Sequence, residues 1–163
     1  MKHVANRGQT AARCLRAAAE LELRSGALYL RVAAREGTPG WLGELLAGLA
    51  REEEQHAMRI RLLERLVPPD AWPEHAVARV VDELRTAHGE IVRLEVELDR
   101  PGALAPRKIL DALSAVERTV DALHAEMVAS TLSPQVAALF QGLRSQDARH
   151  RELLGDARGN RPR

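Results

Sequence analysis

Cysteine is all but missing from this sequence of 163 residues. Cys14 stands alone, so no internal disulfide can form and no thiolate cluster can hold a metal. Aromatic residues are nearly as scarce: Trp41, Trp72, Tyr29 and Phe140 are the full set. β-branched residues never alternate with polar ones over the length of a strand, so half-buried strands are not expected. No apolar run approaches the length that spans a membrane. The opening from Met1 to Thr10 is polar and lacks the apolar centre of a signal peptide, so a cytoplasmic protein is expected. Excess charge of one sign is absent too. Lys and Arg number 24 against 23 Asp and Glu, and the two signs are interspersed. An obligate nucleic-acid binder would show a clustered basic excess; Arg158, Arg161 and Arg163 read instead as a solvated end.

What the sequence has in abundance is Ala, Leu, Arg and Glu, all strong helix formers. Five amphipathic stretches with a 3.6-residue apolar period emerge, and together they fit one domain covering 1–163. The first runs from about Thr10 to Glu36 on a stripe of Cys14, Leu15, Ala18, Leu21, Leu28 and Val32. Gly37 ends it, and Thr38 with Pro39 reads as the cap and first residue of the second. That second stretch carries Leu42, Leu45, Leu46, Leu49, Ile60 and Leu63 up to Pro68-Pro69. A third, about 73–99, shows Val77, Val80, Leu84, Ile91, Leu94 and Leu98 before the break at Pro101-Gly102. The fourth starts at Pro106 and the fifth at Ser133-Pro134. Short links predict two antiparallel hairpins, about 10–66 and 106–156, with the third helix inserted in the crossover.

Polar residues interrupt the stripes at matching places. Glu22 precedes Tyr29 by seven residues, and Glu117 precedes His124 by seven. The second stretch has Glu53-x-x-His56, and the last has Asp147-x-x-His150. Glu117 follows Glu22 by 95 residues, while Asp147 and His150 follow Glu53 and His56 by 94 each. The two hairpins therefore present the same chemistry in the same order, as an internal repeat does. Residues three apart on a helix point the same way, so a carboxylate and an imidazole can share one ion. Four core carboxylates (Glu22, Glu53, Glu117 and Asp147) would be costly to bury alone. Two divalent cations would balance them, and mixed oxygen and imidazole donors suit iron or manganese.

The Glu22-x6-Tyr29-x3-Ala33 pattern and the run Leu-Ala-x-Glu-Glu-x-x-His from Leu49 to His56 resemble the rubrerythrin branch of the ferritin-like superfamily. The resemblance covers about residues 15–66 and 106–154. It implies an all-α, ferritin-like four-helix bundle with two iron ions. Glu22 and Glu117 would be terminal ligands, Glu53 and Asp147 bridging ligands, and His56 and His150 one ligand for each ion. It also implies that Glu52 orients His150 and that Gln146 orients His56. The sequence departs from the pattern at three places. Asp147 stands where Glu is usual, with a shorter reach. His124 replaces a Tyr, as an outer hydrogen-bond donor or a seventh ligand. The helix at 73–99 either covers the bundle or builds an oligomer contact.

The function this implies is a redox protein acting on oxygen or hydrogen peroxide, of peroxidase or ferroxidase type, with Tyr29 and His124 beside the reacting centre. The cysteine module that supplies electrons in rubrerythrins is absent, so an external electron donor is expected, as is a homo-oligomer. An oxygenase acting on an organic or nucleic-acid substrate, iron storage, and a non-catalytic helical module are the alternatives. Outside the ligand set, Asp121 reads as surface charge or an extra ligand. Gly26 reads as packing slack or room for substrate. His3, His75 and His88 are expected to face solvent.

Overall fold

The computed structural model describes residues 2–67, 71–100 and 105–159, with side chains from Ala11 onward. Among these it contains five α-helices and no strand: α1 (Lys2–Ala33), α2 (Gly40–Glu64), α3 (Glu74–Asp99), α4 (Pro106–Ser130) and α5 (Pro134–Gly159). The breaks expected at Pro68-Pro69 and Pro101-Gly102, the side chain of His3, and Arg161 and Arg163 lie outside the described residues. Among the described residues, no helix is long and apolar enough to cross a membrane.

α1 and α2 run antiparallel. Arg16 meets Glu64 at one end, Gly26 faces Ala50 midway, and Gly43 lies against Ala33 at the turn. α4 and α5 form the second such pair, with Arg158 on Asp111 at one end and His124 on Asp147 midway. α2 against α5 and α1 against α4 close the core between them. Apolar burial along these stripes, from Leu15 and Leu28 to Leu123, Met127 and Phe140, is the main favourable contribution to the fold.

α3 covers the α1 and α4 side of this core. Its buried stripe is Ala76, Val80, Ala87, Ile91, Leu94 and Leu98, so the apolar face of the inserted helix is spent inside the chain. Both of its ends are pinned. Near the start, the Trp72 indole donates to the Met127 carbonyl at 3.4 Å, and the Leu132 amide to the Ala71 carbonyl at 2.7 Å. Near the finish, Arg24 pairs with Glu95 at 2.5 Å, Arg31 with Asp99, and Arg35 donates to the Leu98 carbonyl. Glu95 is thus a cross-helix partner, whereas Glu90 and Glu97 pair with Arg93 on the outer face of α3.

Two local expectations are corrected. α1 begins at Lys2 and not near Thr10, because a helix propagates through polar residues that show no apolar period. Thr38 does not cap α2: its hydroxyl donates to the Val32 carbonyl at 2.9 Å and closes the end of α1, leaving Pro39 at the α2 cap position. Gly37, at φ 82°, supplies the left-handed turn between them. Ser133 does cap α5, accepting from the Val136 amide at 3.4 Å.

Gly26 has a defined job in this packing. A Cβ there would lie 3.2 Å from the Ala50 carbonyl oxygen and 3.3 Å from the Glu53 Cβ, so α1 and α2 are in close contact beside Glu53. Backbone on one side leaves little to yield. Replacing Gly26 by Val should lower unfolding stability by about 1–3 kcal/mol, measured by denaturant titration. A stability equal to wild type would show that the helices can part there without cost.

Candidate metal centre

Four helices bring eight polar side chains into the dry middle of the molecule. Glu22 and Tyr29 come from α1, Glu53 and His56 from α2, Glu117 and His124 from α4, and Asp147 and His150 from α5. Each is at most 2% exposed. Helical spacing accounts for the alignment: within each helix the pair is three or seven residues apart, so both members share the buried stripe.

Two triads of ligand-type atoms form inside this cluster. Glu22, Glu53 and His56 make one, and Glu53, Glu117 and His150 the other, each with donor atoms within 4.8 Å of one another. Glu53 belongs to both. One of its oxygens lies 3.1 Å from His56 Nδ1, and the other 3.0 Å from His150 Nδ1. His56 Nδ1 is also 3.5 Å from Glu22, and His150 Nδ1 3.5 Å from Glu117. The two imidazoles stack with centroids 5.7 Å apart and planes 10° from parallel.

The remaining residues flank the triads. The Tyr29 hydroxyl donates to Glu117. At the matching place in the other hairpin, His124 Nε2 lies 2.8 Å from Glu22 Oε1, while its Nδ1 is hydrogen-bonded to Asp147 Oδ2 at 2.8 Å. Asp147 joins neither triad. Of the two outer contacts expected from the resemblance, one is present: Glu52 Oε2 lies 3.2 Å from His150 Nε2. The other is not, because Arg59 donates to the Gln146 side-chain carbonyl at 3.1 Å and His56 Nε2 has no partner. The long guanidinium reaches Gln146 across the α2–α5 surface and takes its acceptor. Asp121 stands outside the centre, paired with Arg144 and Arg151. His75 and His88 face solvent.

Whether the donor set fits a cation can be judged from unpaired atoms. Among the described residues, eight buried side-chain polar atoms lack an aligned hydrogen-bond partner. Six of them are here: both oxygens of Glu22, Glu117 Oε2, His56 Nε2, His124 Nε2 and His150 Nδ1. Such atoms are rare in folded proteins, and a cluster of them calls for an absent partner. Bound to one ion at roughly 2.1 Å, neighbouring donors would lie about 3 Å apart. The observed 3.0–3.5 Å separations between carboxylate oxygens and Nδ1 atoms match that spacing. Each triad could therefore hold a metal ion, with Glu53 belonging to both.

Without metal, protons do the balancing. Burial lowers the imidazole basicities, but the adjoining carboxylates more than reverse this, lifting His56 and His124 to about 10 and His150 to about 11. Burial and the neighbouring charges of Glu22 and Glu117 hold Glu53 well above the usual carboxylate range. Glu22 is also penalised by burial, yet the Glu53 carboxyl and the rings of His124 and His56 keep it well below that range. Burial, then the surrounding carboxylates, push the Tyr29 phenol well up, so it stays a hydrogen-bond donor.

A groove of about 600 Å³ lined by Trp41, Leu42, Pro106, Leu110 and Arg158 lies at the end of the bundle where α1 turns into α2. None of its lining residues belongs to the centre. Compared with protein-family models, curated proteins and solved structures, the chain has no significant match.

Proposed function

We propose that this chain is a ferritin-like dimetal carboxylate protein, with two iron ions as its working metals, that reacts with oxygen or hydrogen peroxide as a peroxidase or ferroxidase. The observation that carries the reading is Glu53, a single buried carboxyl shared by two Glu/His triads. Glu22, Glu53 and His56 would hold one ion, and Glu53, Glu117 and His150 the other. A pair of ferrous ions supplies the electrons for reducing the oxidant and open positions at which it binds.

The protein's own groups do the rest. Glu52 accepts a hydrogen bond from the His150 Nε2–H, which keeps the proton there and leaves the Nδ1 lone pair free to ligate. Tyr29 occupies one oxygen of Glu117, so the other is kept for the ion. The packed stripe of Leu15, Leu46, Leu49, Leu113 and Phe140 keeps bulk water away. An oxidant of two oxygen atoms needs no organic-sized cavity at the centre. Cys14 is buried, and its thiol pKa is raised by that burial, so reducing equivalents must come from an external donor. Met58 and Leu62, four residues apart on α2, and Leu66 just past its end, each at least 60% exposed, support the expectation of a homo-oligomer.

Anaerobic loading with ferrous iron should give two ions per chain. Rapid mixing with oxygen or peroxide should then oxidise them within seconds, read as new near-ultraviolet absorption. Iron that binds at two per chain but is oxidised no faster than free ferrous iron would end the redox reading.

A further inference from the structure

We infer that His124 is a sixth metal ligand beside Glu22, Glu53, His56, Glu117 and His150, on the ion held by Glu22, Glu53 and His56, and that Asp147 serves as its orienting partner and not as a second bridge. The inference rests on the dimetal reading above and makes the centre asymmetric.

The repeat puts His124 where the first hairpin has Tyr29, and the two side chains reach corresponding carboxylates, Glu22 and Glu117. Their contacts differ in kind. The Tyr29 hydroxyl makes an aligned hydrogen bond to Glu117. His124 Nε2 lies 2.8 Å from Glu22 Oε1, but neither atom has an aligned hydrogen-bond partner. An imidazole nitrogen that is 0% exposed and aimed at a carboxylate without bonding to it is placed as one ligand beside another. Neighbouring donors on a common ion are separated by roughly 3 Å, close to the distance found.

Asp147 completes the assignment. Its Oδ2 holds His124 Nδ1 at 2.8 Å, which fixes the tautomer with the proton on Nδ1 and the lone pair on Nε2, as in carboxylate–histidine–metal triads. The same contact occupies Asp147 away from the pair of triads, neither of which includes it. Asp is one methylene shorter than Glu53, its repeat counterpart, so it stops at the ring of His124. His124 also lies against Phe140, with centroids 5.2 Å apart, which limits rotation of the imidazole. The ion shared with His56 would then have two imidazoles and the other only one, from His150.

Proton NMR of the cobalt(II)-loaded protein in water tests this. Every histidine bound to cobalt contributes one strongly shifted, exchangeable N–H resonance from its other ring nitrogen. Three are expected in the wild type and two in H124Y, which restores the residue type of the first hairpin. D147N should keep all three at saturating metal while weakening cobalt binding by roughly 10–100-fold. Two shifted resonances in the wild type, with two cobalt ions bound, would overturn the assignment of His124 and leave the dimetal centre standing. H124Y with unaltered cobalt affinity and an unaltered visible spectrum would overturn it as well, because a merely positioning role is one that Tyr can fill. Failure to bind any cobalt would overturn the inference together with the dimetal reading.

Discussion

Replacing Glu53 by Gln is expected to abolish binding of both ions, although only one side chain is changed. Each triad uses a Glu53 oxygen, and an amide offers one weak neutral donor where the carboxyl offers two. The loss in affinity should exceed the roughly 10–100-fold that follows removal of an outer partner, so protein purified from iron-rich medium should carry almost no metal. Glu117→Gln is the control: Glu117 belongs to one triad only, and that variant should retain one ion per chain. His56→Ala and His150→Ala should likewise lose one each. The fold of E53Q should survive, because burial and neighbouring carboxylates already hold Glu53 in its neutral form without metal. An amide of the same shape then removes little, and the melting temperature of the metal-free variant should stay within a few degrees of wild type. Elemental analysis and thermal melts on the same samples distinguish a lost site from a lost fold. If E53Q keeps two ions, the shared carboxyl is not the bridge.

Most of this centre could be read from the sequence, because helices carry their burial pattern in a linear period. Glu22, Glu53, His56, Glu117, Asp147 and His150 fall on the same register as Leu15, Leu49, Leu113 or Leu143, and that register alone places them inside. The repeat added what periodicity lacks: that two hairpins bring equivalent residues to one place. What escaped depends on side-chain reach and on competition between partners. Asp147 and Glu53 are equivalent in the repeat, yet one methylene decides that Asp147 ends on His124. Gln146 has the position to meet His56, but Arg59 sits across the helix interface and engages it first. Thr38 reads from the sequence as the cap of the following helix, but with Gly37 at positive φ its hydroxyl turns back to the Val32 carbonyl of the preceding one. The side chosen by α3 was open for a different reason: an apolar stripe states that a helix must be covered, not by which neighbours. The ties from Arg24 to Glu95 and from Trp72 to Met127 settle it.

Raising the pH should move the metal-free and metal-loaded proteins in opposite directions. His56 and His124 titrate at about 10 and His150 at about 11 in the folded chain, against roughly 6.5 when unfolded. Groups raised in this way contribute stability that is fully present below the unfolded value and is lost as pH climbs through the folded one. Glu53, also raised, acts in the same sense above the ordinary carboxylate range. Glu22 has the opposite sign, but its contribution is already complete above that range. Between pH 6.5 and 9.5 the metal-free protein should therefore lose stability steadily. One net proton bound on folding corresponds to about 1.4 kcal/mol per pH unit, or roughly 3 °C of melting temperature for a chain of this size. Metal binding reverses the slope, because His56, His150 and His124 must each release a ring proton, and Glu53 its carboxyl proton, before they can ligate, so affinity for the ion rises with pH. With ferrous iron or cobalt in anaerobic excess, the melting temperature should hold or climb over the same interval. The gap between the two curves should widen with every pH unit. Parallel curves would mean that the ions bind without displacing protons from these imidazoles or from Glu53, and so somewhere other than this centre. A metal-free curve that is flat from 6.5 to 9.5 would mean that the three histidines carry no proton in the folded chain, and the centre would then be held by some other balance of charge.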